Sequence, residues 1–122
     1  MLPRIIKFMK TLKELHLKEN ERVALDEAAH VLRGNFPVSK ILLFGSKATG
    51  SDDPESDIDI LVLTSRELPW RERDGLINAL FETQLIYDVV FGVLVVSENE
   101  WKEGLSTVLP IHHEIEEHGV AV

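Results

Sequence analysis

The stretch ILLFGSKATGSDDPESDIDILVLT, residues 41–64, decides how this chain reads. Its apolar run Ile41-Leu42-Leu43-Phe44 stops at Gly45-Ser46, and after a loop containing Gly50 and Pro54 a second run extends from Ile58 to Thr64. Short apolar runs bounded by glycine and proline read as strands. Alternation along the second strand puts Asp57 and Asp59 on one face and Ile58, Ile60 and Val62 on the other. Two carboxylates held that close repel each other unless a cation lies between them. Mg²⁺ is the natural cation, being hard, preferring oxygen and sharing its coordination with phosphates. Taken alone, Asp-x-Asp is equally a solvated pair at a strand end. Gly45-Ser46 leads into a short helix, so backbone N–H groups and the Ser46 hydroxyl would meet an incoming anion, with Lys47 adding positive charge nearby.

Around this segment the chain has the size and composition of one globular domain. It has 122 residues, 44% hydrophobic and 28% charged, with no cysteine for a disulfide or a thiolate metal site. Its longest nearly uninterrupted apolar run is shorter than the roughly 18 residues of a membrane span, and no signal-peptide pattern opens the chain, so a cytoplasmic location is expected. Charge divides unevenly. Of 13 basic and 21 acidic residues, 9 basic and 5 acidic lie in residues 1–50, which leaves the remainder strongly acidic and unsuited to broad nucleic-acid binding.

Periodicity supplies the other elements. Ile5, Phe8, Leu12 and Leu15 form an apolar stripe opposite Lys7, Lys10, Lys13 and Lys18, predicting an amphipathic basic helix over 1–20. A helix near 21–33 follows, with Asn20 as N-cap and Gly34 as terminator. Pro69 begins a third helix whose buried side would use Trp70, Ile77, Leu80 and Phe81. Leu85–Val96 reads as a long central strand, with Gly92 marking a bulge. Ser97 caps a short helix through Trp101, and Pro110–Glu117 reads as a last helix ended by Gly119. Core residues would span 21–96, with 97–122 a C-terminal helical segment.

Asp88 is the third acidic candidate, because it lies in IYDVVFGVLVV among apolar neighbours. An unpaired carboxylate in a central strand is costly, so something positive must reach it. Asp57, Asp59 and Asp88 on neighbouring strands would cage two metals about 3.5–4 Å apart for in-line phosphoryl chemistry; the alternative is an ion pair between Asp88 and a helix Arg or Lys. An EF-hand over Asp53–Thr64 fails, since its glycine and glutamate positions hold Ile58 and Thr64. His112, His113, Glu116, Glu117 and His118 read as an exposed helix face, and Trp70 and Trp101 as packing residues.

Phe44-Gly45-Ser46, Gly50 and Ser56–Val62 (SDIDILV) resemble the signature of the DNA polymerase β-type nucleotidyltransferase superfamily, whose smallest members carry Gly-Ser, ten residues, then Asp-x-Asp. The ten here are Lys47–Ser56, and Thr49 stands where many relatives have a second basic residue. The resemblance implies an α+β fold, a mixed-sheet palm with flanking helices. It implies Asp57, Asp59 and Asp88 as catalytic residues holding two Mg²⁺ ions, and Gly45, Ser46 and Lys47 as binding the phosphates of an NTP. It further implies transfer of AMP from ATP to a hydroxyl, with a HEPN-domain toxin as the acceptor partner and this chain as its antitoxin. Two rivals stand beside it: a module that neutralises its partner by docking alone, and an adenylyltransferase for a small antibiotic. The second lacks an acceptor-binding domain unless a homodimer supplies one.

Overall fold

The computed structural model describes residues 15, 17–50 and 56–122. The expected basic helix over 1–20 falls mainly outside these residues. Leu15 and Leu17 are half-buried against the core, and residues 19 and 20 already belong to the next helix.

That helix, α1 (Glu19–Asn35), starts earlier than its spacing predicted. Lys18 rather than Asn20 is its N-cap, and Glu21 reaches back to accept the Lys18 backbone N–H at 2.9 Å. Asn20 instead donates from Nδ2 to the carbonyl of Tyr87 at 2.9 Å, tying the start of α1 to a distant turn. Gly34 lies inside α1 and does not end it.

The chain continues through β1 (Val38–Phe44), the single turn α2 (Ser46–Thr49), β2 (Ile58–Thr64), α3 (Trp70–Tyr87) and β3 (Phe91–Ser97). It closes with α4 (Glu98–Glu103), a 3₁₀ turn over Leu105–Val108, α5 (Pro110–His118) and β4 (Val120–Ala121). The strands form one mixed sheet in the order β3-β2-β1-β4. β2 runs antiparallel to β1 and parallel to β3, and β4 adds antiparallel to β1. The architecture is α+β, as the sequence led us to expect.

The sheet is covered on both faces, as a mixed sheet with a parallel pair requires. Ile41 and Leu43 of β1, Ile58, Ile60 and Val62 of β2, and Phe91 and Val95 of β3 turn to one face. There they pack against Ala24, Leu25, Ala28 and Leu32 of α1 and Leu76 and Leu80 of α3. Leu61 and Leu63 turn the other way, against Trp101 of α4 and Ile115 of α5, with Leu42, Phe44, Leu94 and Val96 around them. Trp101 is buried, as expected, and donates its indole N–H to Glu116 Oε1 at 3.0 Å, which satisfies the one polar atom that burial would strand. Ser97 caps α4 by accepting the Glu100 N–H at 3.2 Å.

Three expectations are corrected. The long strand over Leu85–Val96 does not exist: α3 runs through Tyr87, and β3 begins at Phe91. Gly92 is no bulge but sits in regular register opposite Asp59; the sheet's irregularity lies between Val38 and Lys40. The buried side of α3 uses Leu76, Leu80 and Thr83, whereas Trp70, Ile77 and Phe81 face outward, Trp70 being 69% exposed. No helix among the described residues is long and apolar enough to cross a membrane.

Candidate nucleotide and metal site

Asp57 immediately precedes β2 and Asp59 is its second residue. Asp59, Leu61 and Leu63 share one face by strand alternation. Leu61 and Leu63 are buried there, Asp59 is half-buried, and Asp57 is exposed. Asp59 thus continues an otherwise apolar face, with Asp57 two residues before it. The Asp59 carboxyl is pushed above the ordinary Asp range, first by burial and then by the charge of Asp57. Mutual repulsion of this kind is relieved by a bound cation.

The flanks of Asp59 are unusual. Its register neighbours are Phe44 at the end of β1 and Gly92 near the start of β3. A Cβ placed on Gly45, the residue after Phe44, would lie 2.6 Å from Asp59 Oδ2, and one placed on Gly92 would collide with Asp59 Oδ1. Each carboxylate oxygen therefore lodges over a glycine. Gly45 also takes φ +75°, which an L side chain rarely adopts, and from that geometry opens α2. Ser46 follows at once, its Oγ donating to Ser56 Oγ at 3.1 Å. This bond draws the Gly-Ser turn to the residue just before Asp57.

Lys47 departs from its expected role beside a phosphate. Its side chain is 1% exposed, and Nζ lies 2.9 Å from Glu21 Oε2. The first helical turn after Gly45 packs against β1 and α1, carrying position 47 inward, where only a charged partner makes an ammonium tolerable. Glu21 supplies it, with its other oxygen on the Lys18 N–H. Sequence reading passed over Glu21; the one signal was a carboxylate on the apolar side of a helix that also carries Ala24, Leu25 and Ala28.

Asp88 is corrected more strongly. It is not a sheet residue: it ends α3 in the left-handed conformation (φ 56°, ψ 53°) and is exposed. Asp tolerates this geometry better than most side chains, which suits it to a helix terminus. The turn is fixed by Gln84, whose Oε1 accepts the Phe91 N–H at 2.7 Å. Asp88 and Asp57 line the same cleft of about 380 Å³, along with Lys18, Asn20, Glu21 and Ser56. The three-carboxylate cage is not assembled, and among the described residues no three His, Cys, Asp or Glu side chains converge on a possible metal position. What remains fits one divalent cation: two hard oxygen donors two residues apart, the charge of one felt by the other, and one of them seated in a cradle that a Cβ would fill.

Of the discounted His face, His112 is otherwise occupied. His112 stacks on Trp101 with ring centroids 4.2 Å apart, and its Nε2 lies 2.8 Å from the Trp101 carbonyl.

Comparison with known proteins agrees with this geometry. The profile of the family described as "Polymerase beta, Nucleotidyltransferase" matches residues 26–102. A Methanocaldococcus jannaschii protein named "Putative protein adenylyltransferase" is 36% identical over 65% of this chain and 76% of its own length. Among solved structures, a chain of a toxin–antitoxin complex with AMP-PNP superposes with TM-score 0.54 at 24% identity, covering 79% of this chain and 69% of that one. A chain from a complex of a tri-AMPylated Shewanella oneidensis HEPN toxin with its MNT antitoxin gives 0.51 at 22%, covering 82% and 69%. These two likenesses show a shared fold. The profile spans more than half of the sequence and includes both the Gly45-Ser46 turn and the Asp57/Asp59 strand, so this chain belongs to the polymerase β-type nucleotidyltransferase family and is a nucleotidyltransferase.

Proposed function

We propose that this protein transfers AMP from ATP to a hydroxyl on a HEPN-domain partner and acts as that partner's antitoxin. The observation carrying the reading is the seating of Asp59 between Gly45 and Gly92, which joins the carboxylate pair to the Gly-Ser turn in one small space. Asp57 and Asp59 would hold Mg²⁺, and the Gly45-Ser46 turn would receive the phosphates. Mg²⁺, when bound, neutralises phosphate charge and polarises the α-phosphoryl group. Gly45 lets the Asp59 carboxylate sit against the turn that would receive the phosphates, and the Ser46 hydroxyl can rotate from Ser56 to a phosphate oxygen. Lys47 and Glu21 brace the turn from beneath. The acceptor oxygen attacks the α-phosphorus, its bond to the β-phosphate bridging oxygen breaks, pyrophosphate leaves, and the hydroxyl proton passes to solvent. Asp88 and Asn20, on the rim of the cleft beside Asp57, would meet the acceptor side.

The protein-adenylyltransferase name of the 36% identical relative supports a protein acceptor, and the AMPylated HEPN toxin in a fold-related complex supports a partner of that class. The test is to purify the chain with whatever co-purifies from its source organism and weigh the partner intact before and after incubation with Mg²⁺ and ATP. The expected result is a gain of whole AMP units, absent with Asp57→Asn. A tight partner whose mass stays constant with all four NTPs would leave docking alone as its mode of neutralisation.

A further inference from the structure

We infer that Gly92 limits this site to a single divalent cation, by denying Asp59 an acidic neighbour across the β2–β3 ladder. The inference deepens the nucleotide-site reading above and rests on it.

Three observations converge on Gly92. Asp59 and Gly92 are register partners on adjacent parallel strands, so a side chain at 92 would project from the same face as the Asp59 carboxylate. That space is taken: Asp59 Oδ1 occupies the volume a Cβ at 92 would need. And the one carboxylate in the sequence between Glu82 and Glu98 is Asp88, which the end of α3 carries out of the ladder.

On the other flank stand Phe44 in register and Gly45 beyond it, neither able to ligate through a side-chain oxygen. Among the described residues, the strands around Asp59 and their immediate flanks therefore offer one carboxylate pair, Asp57 and Asp59. Two cations a few ångströms apart need a carboxylate to bridge them and further acidic ligands to offset their charge. One carboxylate pair together with a triphosphate satisfies one hard cation of octahedral habit. Gly92 is a positioning residue: it touches no reacting atom, and it sets both where the Asp59 carboxylate rests and how many ions that carboxylate serves.

Counting bound Mn²⁺ tests this. The full chain is equilibrated with Mn²⁺ and α,β-methylene ATP, whose α–β linkage cannot be cleaved, and bound Mn²⁺ is quantified by electron paramagnetic resonance. The expected result is one Mn²⁺ per chain without an exchange-coupled pair signal. Two per chain, spin-coupled, would overturn the inference and leave the nucleotide site standing; no binding at all would overturn both. Gly92→Ala provides a second readout, because its Cβ must push the Asp59 carboxylate aside. Mn²⁺ affinity should fall at least tenfold while the circular dichroism spectrum is retained, and unchanged affinity in the folded variant would contradict the positioning role. Should that variant fail to fold, the wild-type count decides alone.

Discussion

The two faces of the sheet are built differently. On one, α1 and α3 cover the strands, and Ile58, Ile60 and Val62 of β2 are all buried. On the other, β2 passes from Leu63 and Leu61, buried against Trp101 of α4 and Ile115 of α5, to half-buried Asp59, with exposed Asp57 just before the strand. One strand thus serves as core on one side and as a site on the other. The difference teaches why the carboxylates can be tolerated: burial falls away where they begin, leaving them reachable by water and by a cation. The closed face sets the backbone rigidly enough for the open end to hold its geometry.

The largest effect on stability should come from the buried pair beneath the Gly-Ser turn. Glu21→Ala takes the Glu21 carboxylate away from the buried Lys47 ammonium, at a cost of up to about 3–5 kcal/mol. Urea unfolding should show it, and a loss under about 1 kcal/mol would mean that the pair does not brace the turn. Next, Leu76→Ala on the covered side of α3 should cost about 2–5 kcal/mol, whereas Phe81→Ala on its outer side, 55% exposed, should cost under about 1 kcal/mol. Equal losses would dissolve the contrast between inner and outer sides. Ser97→Ala, which removes the cap of α4 on the partly covered face, should lower stability by about 1 kcal/mol, measurable as a drop in thermal midpoint.

The smallest effect sharpens the comparison at Asp59 itself. Because its folded-state pKa is raised, the folded state holds the proton more tightly than the unfolded chain does. Stability from this group is therefore present below the ordinary carboxylate range and is lost as pH rises through the raised value. Without divalent cations, Asp59→Asn should be slightly more stable than the native chain at pH 7, and the gain should vanish below about pH 3.5. Parallel melts at the two pH values check the sign, and saturating Mg²⁺ with nucleotide should reverse the order at pH 7 by stabilising the native chain alone.

Much of this was legible in residues 41–64. The strand ends, the Gly-Ser turn and the facing of Asp59 opposite to Ile58, Ile60 and Val62 all follow from local rules, glycine and proline as punctuation and side-chain alternation along β2. Asp88 was not legible, for a definite reason. Only Asp88 parts Leu85-Ile86-Tyr87 from Val89–Val96, with no glycine or proline between them, so the run reads as one strand, although its first part is the exposed end of a helix that carries apolar residues on its outer side as well. Burial could not be inferred from apolar character there: Leu85 and Ile86 are 69% and 71% exposed. The inward turn of Lys47 and the pairing of Val120 with Leu43 depend on contacts distant in sequence, which no local pattern carries.

The most direct test of the central claim, that Asp57 and Asp59 support nucleotidyl transfer at this open end of the sheet, uses ATP labelled at either the α- or the γ-phosphate. With Mg²⁺ and the co-purified partner, the account predicts covalent label on the partner from α-labelled ATP alone, reduced at least about 1,000-fold in Asp59→Asn, a loss near 4 kcal/mol of transition-state stabilisation. Label from γ-labelled ATP, or undiminished transfer by Asp59→Asn, would contradict it.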